Sequence, residues 1–178
     1  MSGARNSFLD VLHAEAPASD RAEKMALYGQ FIGSWNTDIV SHEQNGTEHR
    51  GNGEIHFGWV LEGRAVQDVW ILPVRDPRTG EIDPSRRTQG TTLRIWDAAL
   101  QAWRVTWISP LTGARVELVG RWSGKDVVQV GTFANGTPIR WIFSEITPDS
   151  FRWTGETLQA DGQTWKLEGE FLAKRIPG

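Results

Sequence analysis

From residue 34 onward, apolar and polar positions alternate with a period of two, and the alternating runs are separated by short clusters of Gly, Asn, Asp and Pro. Alternation of this kind marks strands with one buried and one solvated face. The most strongly patterned stretch, Phe31 to Trp70, predicts three antiparallel strands (Trp35–Glu43, Glu48–Val60 and Arg64–Pro73) joined by Gln44-Asn45-Gly46-Thr47 and Leu61-Glu62-Gly63-Arg64. Asn-Gly between two alternating runs is a strong hairpin signal, because the turn needs residues that tolerate positive φ. Gly51 and Gly53 are candidate bulge sites within the second strand. Seven further strands follow: Thr91–Trp96, Ala102–Ser109, Ala114–Trp122, Val127–Phe133, Ile139–Thr147, Phe151–Leu158 and Thr164–Ala173. Good turn formers separate them, among them Asn135-Gly136, Pro148-Asp149 and Asp161-Gly162.

Ahead of the strands, Ser19 offers an N-cap for a helix over about 20–31, ended near Gly33. Residues 1–18 lack periodicity and read as a flexible lead-in, with residues 19–178 as one domain. Residues 75–90, rich in Pro, Gly and charge, make the one long connection, either a solvated loop or a lid over a mouth. No helical spacing interrupts the strands, which excludes parallel βαβ units. Ten strands in meander order exceed what an open twisted sheet accommodates easily, and closure removes the exposed edges. The expected fold is therefore all-β, an antiparallel up-and-down closed β-barrel with a short N-terminal helix.

Composition narrows the function classes. The net charge of −3 and pI near 5.8 provide no basic stripe for nucleic acid. The absence of Cys rules out disulfides, thiolate metal sites and cysteine catalysis. No apolar run approaches the ~20 residues of a membrane span or forms a signal-peptide core, so the expectation is a cytoplasmic protein without a membrane partner. Ten Trp stand against one Tyr. An indole is large and its N–H needs a partner when buried. Trp on nearly every strand points to an aromatic-lined cavity, or to an aromatic outer face covered by another subunit, which leaves a homodimer open.

A turn of known length fixes register, so one face can be carried from strand to strand. Pairing Trp96 with Trp103 places Arg94, Thr92, Val105 and Trp107 on one face. Carrying it forward adds Val116, Leu118, Trp122, Gln129 and Phe133, then Arg140, Ile142 and Ser144, then Phe151 and Trp153, and finally Lys166, Glu168, Glu170 and Leu172. Counted through Asn45-Gly46 as a two-residue turn, Trp35 pairs with His56, and Glu54 shares that face. His42 and His49 then oppose each other on the other face, and two ligands are too few for a zinc site; no metal is expected. On this count Asp68 points outward beside Phe57 and Trp59, unless a bulge at Gly51 or Gly53 turns it inward with Trp70.

The expected interior thus holds Glu54, His56, Arg94, Arg140, Glu168 and Glu170 among Trp35, Trp103, Trp107 and Trp153. Buried charges are costly unless paired, so such a barrel is wet, internally ion-paired or occupied by a polar ligand. As a ligand site, it would use Arg94 or Arg140 to hold an anionic oxygen, with Trp35, Trp70, Trp103, Trp107 and Trp153 as walls. As an enzyme, it would use His56 with Glu54 or Glu170 as acid and base, or Asp68 in their place.

The short helix, Gly33-Ser34-Trp35 opening the first strand, the meander and Arg175 after the last strand together resemble the calycin superfamily. In lipocalins the tryptophan of Gly-x-Trp packs at the closed end of the barrel under a C-terminal Arg, and the resemblance implies that role for Trp35 and Arg175. Gly63-Arg64-Ala65-Val66, Ile95-Trp96-Asp97 with Trp103 and Trp107, and Asp161-Gly162-Gln163-Thr164-Trp165 look like bacterial lipocalin-like domains of unknown function. The haem-binding nitrobindin barrels differ, since Asn36-Thr37-Asp38 replaces their glycine-rich opening and no His lies near the C-terminal strands. There is no P-loop, dinucleotide fingerprint or Gly-x-Ser-x-Gly, and no cofactor is expected. The leading expectation is a barrel that binds a small, partly aromatic or apolar molecule with a polar or anionic group. A cofactor-independent acid–base enzyme using the same cavity, and an interaction module with an outward aromatic face, are the alternatives.

Overall fold

Each alternating run forms a strand. The computed structural model describes residues 7–43, 45–73, 76, 78–81 and 88–177, with Thr88 and Gln89 described by their backbone alone. Two short helices, α1 (Ser7–Leu12) and α2 (Ala22–Gly29), flank a two-residue strand, β1 (His13–Ala14). The remaining strands are β2 (Gly33–His42), β3 (Glu48–Val60), β4 (Ala65–Leu72), β5 (Thr88–Asp97), β6 (Ala102–Ser109), β7 (Ala114–Ser123), β8 (Asp126–Thr132), β9 (Pro138–Ser144), β10 (Ser150–Leu158) and β11 (Trp165–Arg175). Each of β2 to β11 pairs antiparallel with its successor, and β11 returns to β2, with Arg175 opposite Trp35 and Gly169 opposite Ser41. The ring of ten strands is closed. β1 adds a short outer pairing to the end of β3, His13 opposite Val60.

Two local expectations change at the N-terminus. The stretch read as a lead-in carries α1 and β1. Ser19 does not cap the helix but lies in a 3-10 turn, Ser19–Arg21, while Arg21 is the N-cap of α2 and makes no side-chain cap bond. The long connection read over 75–90 falls largely outside the described residues.

Packing of one barrel end explains why α2 lies there. Its Met25, Leu27 and Tyr28 are buried, and the following Phe31 stacks near Phe143, Phe151 and Phe57 with ring centroids 4.6, 5.1 and 5.6 Å away. Trp35 is fully buried beneath them and donates from Nε1 to the Phe31 carbonyl at 2.8 Å. The Arg175 guanidinium lies 4.0 Å over the Trp35 ring and donates to the carbonyls of Ile32, Gln30 and Pro148. This cation–π stack with three carbonyl acceptors ties the last strand to the chain entering the first. Gly33 makes the contact feasible. It sits at φ +123°, where a side chain is strained, and a Cβ there would lie 2.7 Å from Arg175 Nη1.

Two Asn-Gly turns set the faces, and both are one residue longer than the two-residue hairpin loop. Glu43 N–H donates to the Thr47 carbonyl and Gly46 N–H to the Glu43 carbonyl, so the ladder closes on Glu43 opposite Thr47, one residue more than a two-residue turn spans. Phe133, Thr137 and Gly136 repeat the same pair of bonds across residues 134–136. In each, the glycine takes positive φ and the Asn side-chain oxygen accepts the N–H two residues on. An odd loop moves the opposite strand by one residue, which exchanges its two faces. Trp35 therefore pairs with Ile55, not His56, and Gln129 pairs with Trp141. The β2–β3 ladder runs unbroken past Gly51 and Gly53, and neither makes a bulge. The bulge occurs instead between Gly155 and Glu156, against Leu167 and Gly169, and it turns Phe171 and Ala173 inward.

Candidate ligand-binding cavity

With these registers, aromatic side chains from five strands face one another at the end of the barrel opposite Arg175. Trp107 (β6), Trp141 (β9), Trp153 (β10), Phe171 (β11) and Trp70 (β4) form a continuous arc. Successive ring centroids along it are 6.2, 5.7, 4.9 and 5.2 Å apart, mostly tilted or edge-to-face. Such geometries align the positive ring edge with the negative face. The arc walls a cavity of about 770 Å³ whose rim includes Gly113 and Asn135 from the β6–β7 and β8–β9 turns. Room for the indoles comes from glycine on the wall. A Cβ on Gly90 would lie 2.7 Å from the Trp107 indole, and one on Gly155 would lie 2.8 Å from Trp153.

The cavity floor is polar. Arg94 on β5 lines it, 1% exposed, and donates from Nη1 to Asp68 Oδ2 at 2.6 Å and from Nε to Gln129 Oε1 at 3.4 Å. Asp68 Oδ1 accepts the Thr92 backbone N–H at 2.8 Å, so both carboxylate oxygens are occupied. The guanidinium carbon lies 4.9, 5.5 and 5.9 Å from the ring centroids of Tyr28, Phe57 and Phe143. Tyr28 donates its hydroxyl to the same Gln129 oxygen at 3.0 Å. Burial pushes its hydroxyl pKa well up, with the Arg94 charge opposing. The floor is a neutral Arg–Asp pair clasped between rings.

Several residues expected inside lie elsewhere. His56 and Glu54 alternate with inward Ile55 and Phe57, so they belong to the outer wall, where Ser34 Oγ meets His56 Nδ1 at 2.8 Å and His56 Nε2 meets Glu54 Oε2 at 2.9 Å. Arg140 is also on the outer wall. It bonds Glu156 across the strands and stacks 4.3 Å over Trp165, because the second odd loop exchanged the faces of β9. Glu170 pairs outside with Arg152 at 2.6 Å, whereas Glu168, in the bulge, stays on the side of inward-facing Thr157, from which it accepts at 2.8 Å. His42 faces Glu48 and His49 faces Ser41. Asp68, which the turn count sent outward, points in with Trp70. Trp35 and Trp103 lie inward but in the packed end. Trp103 stacks edge-on to Tyr28 at 4.9 Å. Since most indoles point inward, an outward aromatic face does not form.

Trp141, Phe171 and Thr92 contribute to the cavity without having been singled out as site residues. Their signal was present in the clean alternation of Ile139, Trp141 and Phe143, and of Gly169, Phe171 and Ala173, as apolar inner faces.

No family model and no curated protein matches the chain. Among solved structures, it is similar to the S-type phycobiliprotein lyase CPES from Guillardia theta, with TM-score 0.56, 12% identity and coverage of 91% of this chain and 99% of that one. It is also similar to Rv2717c from M. tuberculosis, with TM-score 0.61, 12% identity and coverage of 90% and 99%. What is shared is the fold, a closed antiparallel β-barrel. At this identity the likeness is one of architecture, and activity has to be argued from the site itself. Among the described residues, no helix is long and apolar enough to cross a membrane.

Proposed function

We propose that the barrel binds a small, flat, largely apolar or aromatic molecule in its open end, with the polar part of that molecule directed at Arg94. The carrying observation is the aromatic arc over a buried Arg94–Asp68 floor, in a space of about 770 Å³. Apolar walls with a few convergent polar groups, in a volume of roughly 300–1,000 Å³, are what small-molecule sites require. Binding is favoured over acid–base catalysis by the state of the carboxylates. Asp68 has both oxygens engaged by Arg94 and Thr92, while His56, Glu54 and Glu170 bond one another, or neighbouring residues, on the outer wall. A general base must reach its proton in the site.

The test is a calorimetric and tryptophan-fluorescence titration with N-phenyl-1-naphthylamine, a flat apolar probe. Saturable one-to-one binding that weakens in Trp153→Ala, measured at a temperature where the variant is fully folded, is the expected result. Absence of saturable binding, or an affinity indifferent to Trp153 and Trp107, overturns the proposal.

A further inference from the structure

Among the described residues, the buried side-chain atoms without a hydrogen-bond partner are all nitrogens: Trp70 Nε1, Trp103 Nε1, Gln129 Nε2 and Arg21 Nε. Two of them, Trp70 Nε1 and Gln129 Nε2, lie at the cavity and its floor. Trp70 lines the cavity, is 8% exposed, and carries an N–H with no acceptor. Gln129 has its oxygen taken twice, by Tyr28 and by Arg94, and its amide N–H groups remain over. Arg94, also on the cavity lining, engages Nη1 and Nε while offering five N–H bonds in all. Each Asp68 oxygen already accepts one bond, from Arg94 and from Thr92, and no protein acceptor meets the Trp70 or Gln129 nitrogen. A buried unsatisfied polar group calls for an explanation, and a missing partner is the commonest one. Here the unpartnered buried groups are donors, and two of them lie at the cavity and its floor.

Charge refines the picture. Asp68 neutralises Arg94 at 2.6 Å with both side chains almost wholly buried. An anion entering beside them would lose its hydration and meet a pair of zero net charge, while Arg115, the other charged residue on the lining, is exposed and already paired with Glu117. A neutral acceptor loses far less on entry and still gains the donors. Resting on the binding role proposed above, we infer that the ligand of this cavity carries an uncharged hydrogen-bond acceptor, a carbonyl or heteroaromatic nitrogen, at its inner end, received by the Trp70 N–H and Arg94. The site selects against carboxylates and sulfonates of the same shape, contrary to the anionic group expected from Arg94 considered alone.

Three naphthalene probes separate these requirements: N-phenyl-1-naphthylamine, its sulfonated relative 1-anilinonaphthalene-8-sulfonate, and the ketone 6-propionyl-2-(dimethylamino)naphthalene. Calorimetric affinities are compared for the wild type and Trp70→Phe, which keeps an aromatic wall and removes the N–H. The expected result is that the amine binds wild type more tightly than the sulfonate, and that Trp70→Phe weakens the ketone about five- to tenfold, the loss of one hydrogen bond, while the amine changes less than twofold. Asp68→Asn, where it folds, raises sulfonate affinity relative to the ketone by freeing the Arg94 charge. A sulfonate that binds wild type more tightly than the amine, or a Trp70→Phe variant that weakens ketone and amine alike, overturns the inference and leaves the binding role standing. Failure of all three probes to bind overturns both.

Discussion

Asp68→Asn probes the buried charge pair with almost no change in shape. Arg94 and Asp68 are 1% and 0% exposed and meet at 2.6 Å, so neither charge is solvated by water. Removing the carboxylate charge leaves a guanidinium buried without a counter-ion, and breaking a buried pair in this way costs about 3–5 kcal/mol. Two features hold the loss to the lower half of that range. The Asn oxygen still accepts one N–H, and three aromatic rings within 5.9 Å of the guanidinium carbon give cation–π support. Against a typical total stability of about 5–15 kcal/mol this is a severe loss. With a urea m-value of about 2 kcal/mol/M, the unfolding midpoint falls by roughly 1.5–2 M. The companion variant Asp68→Asn/Arg94→Met removes both charges, and it recovers most of the loss because apolar replacement of a buried pair is often neutral or better. The assay is urea unfolding followed by tryptophan fluorescence for the four members of the cycle. A midpoint shift in Asp68→Asn below about 0.5 M, or additive effects in the double variant, refutes the reasoning that the two charges depend on one another.

Three further outcomes follow from other parts of the molecule. Tyr28 is the one tyrosine in the chain, and burial raises its pKa above the ordinary value of 10.0; the unfolded chain then binds fewer protons above pH 10, so stability falls as pH rises past that point, by up to about 1.4 kcal/mol per unit for this group. Tyr28→Phe removes that dependence, and in the wild type the ultraviolet signal of tyrosinate emerges together with unfolding, not before it. Arg175→Ala loses the stack on Trp35 and three carbonyl bonds, lowering stability by about 2–4 kcal/mol in thermal unfolding, with no change in naphthylamine affinity because the cavity is at the other end. His56→Ala, on the outer wall beside Ser34 and Glu54, leaves probe affinity unchanged; a weakened affinity would return His56 to the site.

The same residues show where the chain's pattern was legible and where it misled. Strand positions and closure follow from alternation and turn chemistry, which are local, while the Trp35–Arg175 stack was implied by the resemblance to lipocalins. The inner face depends on the parity of every loop, and parity is a one-residue matter. Asn-Gly permits a two-residue turn and also a three-residue loop with the glycine in the left-handed region, and both Asn-Gly hairpins here use the longer form. The first flips His56 out and Asp68 in; the second flips Arg140 out and Trp141 in. The irregularity at Glu145, with φ +51°, restores phase before β10, which is why Phe151 and Trp153 were placed inward despite the error upstream. The bulge beside Gly155 then reverses Glu170 and Leu172.

A stronger criterion than turn length was available in the chain: burial itself. An inner face of Glu54 and His56 against an outer face of Ile55, Phe57 and Trp59 places several large side chains in water to bury two ionisable ones. At ~25 cal/mol per Å² of apolar surface, that exchange opposes the register far more strongly than any turn preference favours it. The same comparison chooses Trp141 and Phe143 over Arg140 and Ile142, and Phe171 and Ala173 over Glu170 and Leu172. Applied hairpin by hairpin, it leaves Asp68 with Arg94 as a fully buried charged pair beneath the aromatic inner face. Turn geometry proposes a register, and the energy of the buried face decides it. In this barrel that energy sets a buried ion pair beneath five aromatic rings, and the proposed binding role rests on that placement.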